Sequence, residues 1–390
     1  MFLKRLLPKS RLRKWLAFCA LLFVIVAVSG CQTWRFYGQA IKGQYQIFSS
    51  QEPAEKLLAD GQTPARLKDQ LRLVQNMRAF AAVELKLPVD DHYKKYADLH
   101  RPFVVWNVEA APEFSLQPKS WWYPFLGSLE YRGYFTKQGA QKYGDYLKEK
   151  GYDVFVGGVE AYSTLGWFKD PLLNTFIFNP EADLAETIFH ELGHQRVFAR
   201  GDTDFNEAFA TIVGQEGARR WLQAKGDLAT RERYQAELRR SDQFVHLIMA
   251  TRARLETLYG DQRTESGKIK AAKKPPAPSA ELRAQKQHIL ADMQQQFAEL
   301  KKSWNGAADY DKWFARQVNN AQLNSVAAYY DLLPGFERLL KDNGDDLEKF
   351  YAAAQRLAKE PKKERQQVLR ALAQTEAPGG NIKLQTSNFK

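Results

Sequence analysis

The chain has 390 residues, 44% of them hydrophobic, which is enough for an ordinary buried core in one large domain or two small ones. Its formal charge of +12 includes six basic and no acidic side chains in residues 1–30, which leaves +6 on the rest of the chain. An excess this small, scattered over predicted helices, gives no electrostatic case for nucleic-acid binding.

Residues 1–30 have the pattern of an export signal. A basic segment precedes an apolar run, residues 15–28, which is within signal-peptide length and short for a membrane span. Val28-Ser29-Gly30-Cys31 then resembles a bacterial lipobox, whose cysteine becomes lipidated and the new N-terminus. The alternative is an uncleaved signal anchor. Lipidation of Cys31 predicts an anchored protein of the bacterial cell envelope, and Gln32 is compatible with sorting to the outer membrane, facing the periplasm.

The cysteine count agrees with export. The chain has only two cysteines, Cys19 within the predicted signal and Cys31 at the predicted lipidation site. No thiol remains for a disulfide framework or a cysteine metal site. A chain without free thiols suits an oxidising compartment.

Residues 31–150 are predicted to form a mostly helical region. Apolar residues at helical spacing predict a long helix over residues 67–85, and a second helix is expected at residues 136–150, before Gly151. Residues 103–108 form a β-like run between prolines. The aromatic stretch at residues 121–125 is more typical of a core than of a pocket.

Residues 151–215 are predicted to contain the functional core. Residues 152–156 and 175–178 read as two short strands that flank a loop. A helix is then expected from Pro180 to Arg200, with Asn179 as N-cap, Pro180 at the first helical position and Gly201 as C-cap.

The motif His190-Glu191-Leu192-Gly193-His194 lies in the middle of this helix. Residues four apart share one helical face, so His190 and His194 could hold one Zn²⁺, with Glu191 beside it as general base. A catalytic zinc needs a third protein ligand. Glu207, at the start of a second predicted helix, could return to the metal after a tight turn. The alternative is that Glu207 only closes a capping box with Asp204.

Three further polar residues could steady a metal ligand. They are Asp183, Glu186 and Asn206, each of which is otherwise an ordinary solvated helix residue.

The pair His-Glu-x-x-His and Asn-Glu-x-Phe-Ala, residues 190–194 and 206–210, is similar to the gluzincin metallopeptidases. Most of the mature chain resembles the bacterial putative aminopeptidase family of zincin-like fold, including its segments at residues 131–135, 161–167 and 319–321. The resemblance implies Zn²⁺ as cofactor, His190, His194 and Glu207 as its ligands, and a peptide as substrate. The spacing between the two motifs is shorter here than in most gluzincins.

Two further residues take roles from the same resemblance. Glu160 follows Gly157-Gly158-Val159, which resembles the gluzincin aminopeptidase segment whose glutamate binds the substrate amine, although Val159 and Ala161 depart from that pattern. Its alternative is a carboxylate in a turn. Tyr330, or Tyr329, matches the tyrosine that gluzincins use to stabilise the oxyanion; its alternative is a packed helical tyrosine.

The region at residues 216–345 is predicted to be helical. Two long helices, residues 216–259 and 281–304, should form an antiparallel hairpin that projects from the body, joined by a flexible tip. Residues 346–390 should form a terminal helix and a disordered tail.

The predicted fold class is therefore α+β, mainly helical, with a zincin-like metallopeptidase domain and a projecting helical hairpin. The predicted function is zinc-dependent peptide hydrolysis in the cell envelope, most simply as an aminopeptidase. The alternative is a non-catalytic lipoprotein whose hairpin binds a partner and whose zinc site is vestigial or structural.

Overall fold

The computed structural model describes residue 14 and residues 34–123, 127–161, 169–264, 268–273 and 277–374. The described helices are α1 (residues 34–49), α2 (Ala54–Ala59), α3 (Ala65–Val83), α4 (Lys137–Glu149), α5 (Glu181–Arg196), α6 (Thr203–Ala224), α7 (Leu228–Tyr259), α8 (Ala280–Lys302), α9 (Asp311–Phe314), α10 (Asn320–Tyr330), α11 (Leu333–Asp342), α12 (Leu347–Lys359) and α13 (Lys362–Gln374).

The described strands are short. They are β1 (Gln51–Pro53), β2 (Lys95–Ala97), β3 (Val105–Pro112), β4 (Trp121–Tyr123), β5 (Gly127–Leu129), β6 (Arg132–Tyr134), β7 (Tyr152–Val159), β8 (Leu172–Leu173), β9 (Gln262–Arg263) and β10 (Ile269–Lys270). The predicted class, mainly helical α+β, is confirmed.

Several predictions fall outside the described residues: the leader at 1–30, Cys31, most of the segment 161–167, the side chain of Tyr329 and the tail beyond residue 374. Among the described helices, none combines the length and apolarity needed to cross a membrane.

The largest sheet has β3 at its centre, with β6 and β7 antiparallel on either side. One face of β3 presents Val108 and Ala110 to the core formed with Ala140 and Leu147 of α4. α4 begins as the sequence predicts, with the Thr136 hydroxyl accepting from the Gly139 amide. α10 also contacts β3 and packs on α6.

The expected strand at residues 175–178 is wrong. These residues form a turn in which the amides of Phe176 and Ile177 both donate to the carbonyl of Leu173. Both side chains are buried in the main core, so the apolar run reflects burial rather than extension. The strand of this region is instead β8, which pairs with β2 in parallel.

α5 is shorter than predicted at both ends. It begins after Pro180, and no side chain caps its N-terminus. The predicted N-cap, Asn179, instead donates its side-chain amide to the Glu160 carboxylate. It ends at Arg196, because Val197 is already extended and the next residues form a loop. Nine of its sixteen residues are buried, which is typical of a helix inside a core.

α5 and α6 pack closely because each helix presents a glycine to the other where they meet. A Cβ on Gly214 of α6 would lie 2.8 Å from the Glu186 carbonyl oxygen and 3.0 Å from the His190 Cβ. A Cβ on Gly193 of α5 would lie 3.3 Å from the Ala210 Cα. Larger residues at these positions would push the helices apart.

α7 and α8 form the predicted helical hairpin, but the hairpin packs against the body of the protein instead of projecting from it. Its apolar side chains form a second core with Phe114, Leu116 and Leu323. Lys286 of α8, almost fully buried, donates to the Asp153 carboxylate at 2.7 Å and to the Glu113 carbonyl at 2.9 Å. The hairpin is therefore docked on the ends of β3 and β7, because a buried ion pair holds it there.

The segment 319–321 forms a junction between α10 and the sheet. Asn319 caps α10 by accepting from the Gln322 amide. Asn320 is fully buried, and its side-chain amide donates to the carbonyls of Pro112, Glu113 and Ser115. The segment 319–321, which resembles a family segment, therefore connects α10 to the sheet.

The glycine contact yields a stability prediction. Gly214→Ala should lower the free energy of unfolding by about 1–3 kcal/mol, because the new methyl group meets a backbone carbonyl that cannot move freely. The matched control is Gly38→Ala on α1, where no atom lies within 4 Å and alanine should be neutral or stabilising by roughly 0.5–1 kcal/mol. Urea unfolding measures both, and equal stabilities for the two variants would contradict the close-packing argument.

Candidate metal centre

His190 and His194 lie one turn apart on α5 and point to the same side. Their ring centroids are 4.9 Å apart and the rings are nearly perpendicular, at 87°. His194 is buried, whereas His190 retains some exposure. The predicted helical placement of the motif is therefore confirmed, and it directs two imidazole Nε2 atoms to one point.

A loop clamped by Asn206 returns the chain to these histidines. The Asn206 side chain accepts from the Ala199 amide at 2.7 Å and donates to the Ala199 carbonyl at 3.0 Å, both buried. This pair of bonds closes the loop between α5 and α6 over seven residues. Asn206 therefore shapes the turn that positions the next residue, Glu207, rather than touching a ligand directly.

Glu207 joins the two histidines. Its Oε2 is 3.4 Å from His190 Nε2, and its Oε1 is 3.7 Å from His194 Nε2. Among the described residues, these three form the one group of His, Cys, Asp or Glu with donor atoms all within 4.8 Å of one another. The capping-box alternative is not supported, because the Asp204 carboxylate is directed to Lys362 and Gln366 of α13.

The spacing fits a tetrahedral ion. Zn²⁺ with bonds of about 2.0–2.1 Å to nitrogen and oxygen separates its donor atoms by roughly 3.3 Å. The two measured separations, 3.4 and 3.7 Å, need only a small contraction to reach that value. Two imidazoles and one carboxylate are also a donor set that zinc accepts.

The protonation states agree with a cation site. Burial lowers the pKa of His194 to about 4, so its imidazole is neutral near pH 7, as a metal ligand must be. Burial opposes charge on His190 as well, but its hydrogen bond to Glu207 and the nearby carboxylates raise its pKa. Burial also acts against ionised Glu207, yet His190 lowers the Glu207 pKa overall. Positive charge is thus favoured between the three side chains.

Glu191 lies beside the cluster without belonging to it. Burial raises the pKa of its carboxyl to about 8, against the opposing effect of His190. Its Oε2 is buried and has no hydrogen-bond partner within the described residues. An unsatisfied buried carboxyl next to a metal site, with a pKa near working pH, is suited to general acid–base chemistry.

Glu186 supports His190 from the preceding turn of α5. Its Oε2 accepts from the Tyr234 hydroxyl of α7 at 2.6 Å. The charges of Glu186 and His190 favour each other, and both residues contact α6 at Gly214. Of the three predicted steadying residues, Glu186 thus lies nearest the ligand, whereas Asp183 lies near Glu160.

A tyrosine missed as a functional residue, Tyr131, directly precedes β6. The register of β3 on β6 ends with Val108 opposite Arg132, so Tyr131 continues the row opposite Glu109. Burial, followed by the carboxylates of Glu207, Glu109 and Glu191, raises the pKa of Tyr131 to about 12. Its phenol is therefore protonated near pH 7 and can donate a hydrogen bond.

Glu109 is a buried carboxyl that is influenced electrostatically by Glu130. Burial, followed by Glu130, raises the pKa of Glu109 to about 8, and Glu109 makes no ion pair within the described chain. Alternation along β3 would have identified which face Glu109 occupies.

Two predicted residues are placed elsewhere. The Tyr330 hydroxyl lies 3.3 Å from Ser241 Oγ of α7, so it is engaged there rather than with the cluster. The exposed Glu160 accepts from Asn179 at 2.8 Å, at the N-terminal end of α5. Their roles in oxyanion stabilisation and amine binding stay predictions.

Comparison with known proteins adds one finding. No curated protein and no solved structure gives a significant match to this chain. A family profile described as "Putative aminopeptidase" matches residues 35–369, a span that includes α5, α6 and every residue of the cluster. Because the match covers most of the chain, the protein belongs to the putative aminopeptidase family, which supports a peptidase role in general terms.

Proposed function

We propose that the chain is a zinc-dependent peptidase with a zincin-like core, acting as an aminopeptidase in the bacterial cell envelope. The observation that carries the proposal is the group His190, His194 and Glu207 at tetrahedral spacing, with the unpartnered carboxyl of Glu191 beside it. Three protein ligands leave one position for water or substrate, as in catalytic zinc sites. A fourth ligand, which would favour a structural zinc, is absent from the group within the described residues.

The roles of the side chains follow from their positions. When bound, Zn²⁺ polarises the scissile carbonyl and makes a water molecule more acidic. Glu191 takes the proton from the attacking water and delivers it to the leaving amine, which a carboxyl with a pKa near 8 can do in both directions. Glu186 keeps the His190 ring in place through its field and its hydrogen bond to Tyr234.

Tyr131 is the better candidate for oxyanion stabilisation. Its protonated phenol is influenced by both Glu207 and Glu191, whereas the Tyr330 hydroxyl is near Ser241. Glu109, in the same row of the sheet, is the better candidate to receive a free substrate amine, since an ammonium group would neutralise an otherwise unpaired carboxyl. Both assignments are additions to the residues that the sequence suggested.

The cellular setting belongs to the same proposal. Cys31 would carry the lipid and hold the enzyme at the membrane, with the outer membrane favoured by Gln32. Peptides reaching this compartment would be the substrates.

We expect about one Zn²⁺ per chain, bound by the cluster. His194→Ala should lose most of it, because the remaining two donors cannot hold the ion tightly. The matched control is His246→Ala, which removes an exposed histidine from α7. Metal analysis of the dialysed proteins gives the answer, and full zinc occupancy in His194→Ala would refute the assigned cluster.

Glu191→Gln should separate metal binding from chemistry. The amide keeps the shape and removes the base, so zinc content should be unchanged while peptide hydrolysis falls by roughly 10²–10⁴. Glu207→Gln should lower zinc affinity and activity together. The assay uses a peptide library with free and blocked N-termini, and a preference for free ones supports the aminopeptidase mode. If Glu191→Gln cleaves as fast as the parent, a non-catalytic partner-binding lipoprotein becomes the better interpretation.

Tyr131→Phe should lower kcat by roughly 10²–10³ with little change in KM or zinc content, since it removes one donor to the developing negative charge. Tyr330→Phe is the comparison and should be close to the parent. The two rates decide between the tyrosines: a loss confined to Tyr330→Phe would restore the assignment suggested by the sequence.

A further inference from the structure

The first described helix, α1, has apolar side chains on two opposite faces. Successive residues turn by about 100°, so Phe36, Gly43 and Ile47 fall on one side of the helix. These three are buried. Trp34, Ile41 and Tyr45 fall on the opposite side. A helix that only needed to cover the body would be polar there.

The inner face is firmly held, so the outer face has a fixed orientation. The Phe36 ring packs against Tyr134 at 5.6 Å and beneath the Arg132 guanidinium at 4.0 Å. Gln39 donates to the Gly133 carbonyl and accepts from the Phe135 amide, which ties α1 to the end of β6. Rotation of α1 to bury its outer face would break all of these contacts.

The outer face is strongly exposed. Trp34 is 46% exposed, Ile41 71% and Tyr45 70%; they lie on one side of the helix, Trp34 two turns before Ile41 and Tyr45 one turn after it. Large apolar side chains in such a line are uncommon on a surface that meets only water. Tryptophan and tyrosine are the residues typical of the boundary between lipid and water, because each has an apolar body and a polar tip.

Charge and chain position identify the partner. Residues 34–49 contain no Asp or Glu, while Arg35 and Lys42 are exposed beside the apolar line. The apolar run 15–28 and Cys31 precede the helix directly, and the three residues from Cys31 to Trp34 reach at most about 10 Å. The helix, of roughly 24 Å, would lie along a surface rather than span it.

We propose that the outer face of α1 lies in the headgroup region of a lipid bilayer, with Arg35 and Lys42 on anionic lipid headgroups. The helix then acts as a second membrane contact beside the lipid anchor and fixes how the body stands on the membrane. This surface goes beyond the proposed peptidase function, since none of its residues belongs to the metal centre.

The experiment uses the full chain reconstituted in vesicles with about one third anionic lipid and a photoreactive probe that partitions into the bilayer. Trypsin cuts after Arg35 and Lys42, so the peptides 36–42 and 43–56 are read separately from any label on the anchor. We expect both peptides to be labelled. The peptide 79–86, which carries the 61% exposed Val83 of α3, should not be.

The variant Ile41→Glu with Tyr45→Glu should reduce labelling of these peptides by about tenfold or more, because two apolar contacts are lost and two negative charges added. The matched control, Val83→Glu with Leu228→Glu, makes the same chemical change at two other exposed helix positions and should label like the parent. Peptide hydrolysis in detergent should be equal in the parent and both double variants, which separates this inference from the proposed enzyme.

A further arm, Cys31→Ser, removes the lipid and should abolish fatty-acid incorporation while leaving weaker labelling of peptide 36–42. Labelling of 36–42 and 43–56 no stronger than that of 79–86 would overturn the proposal. So would protection of these peptides by a chemical cross-link to a second copy of the chain, since the occupant of the face would then be protein.

Discussion

The close contact between α5 and α6 is the constraint on which the candidate site depends. Gly193 and Gly214 let the two helices approach so closely that an added Cβ would lie 3.3 Å from the Ala210 Cα or 2.8 Å from the Glu186 carbonyl oxygen. The Asn206 clamp on Ala199 sets the start of α6 relative to the end of α5. Together they bring Glu207, thirteen residues beyond His194, within reach of both imidazoles. The spacing of the two helices and the geometry of the loop between them thus position the three side chains of the cluster.

Burial explains why a bound cation would stabilise this cluster. Four ionisable side chains, the two histidines with Glu191 and Glu207, lie where water is largely excluded, and isolated charges there are costly. The pKa of His194 is lowered and the pKa of Glu191 is raised. Both shifts favour the neutral form of the side chain, because burial penalises a charge that no partner compensates. A divalent ion would stabilise the carboxylates and leave the histidines neutral. The pKa shifts and the distances between the donor atoms are therefore both consistent with a bound divalent ion.

The helix pair is held from two sides by polar contacts of low exposure. Tyr234 of α7 binds Glu186 near the middle of α5. At the turn between α5 and α6, the fully buried Asp202 receives three side chains of α13: Lys362, Arg365 and Gln366. A buried carboxylate with several donors is stable only while those donors stay in place. The C-terminal helix is therefore part of the support of the candidate site, although it lies far from the motif in sequence.

The sequence by itself determined the local features: the fold class, the helix that carries His190 and His194, the helix that follows Thr136 and the choice of Glu207 as the candidate third donor. These depend on residue type and short-range spacing, which local hydrogen bonds and helical periodicity enforce. It did not determine the turn at residues 175–178, the docked hairpin, or Tyr131 and Glu109. Only the tertiary structure decided these. An apolar run looks alike in a buried turn and a strand, and the face of a sheet becomes a site only when distant helices pack over it.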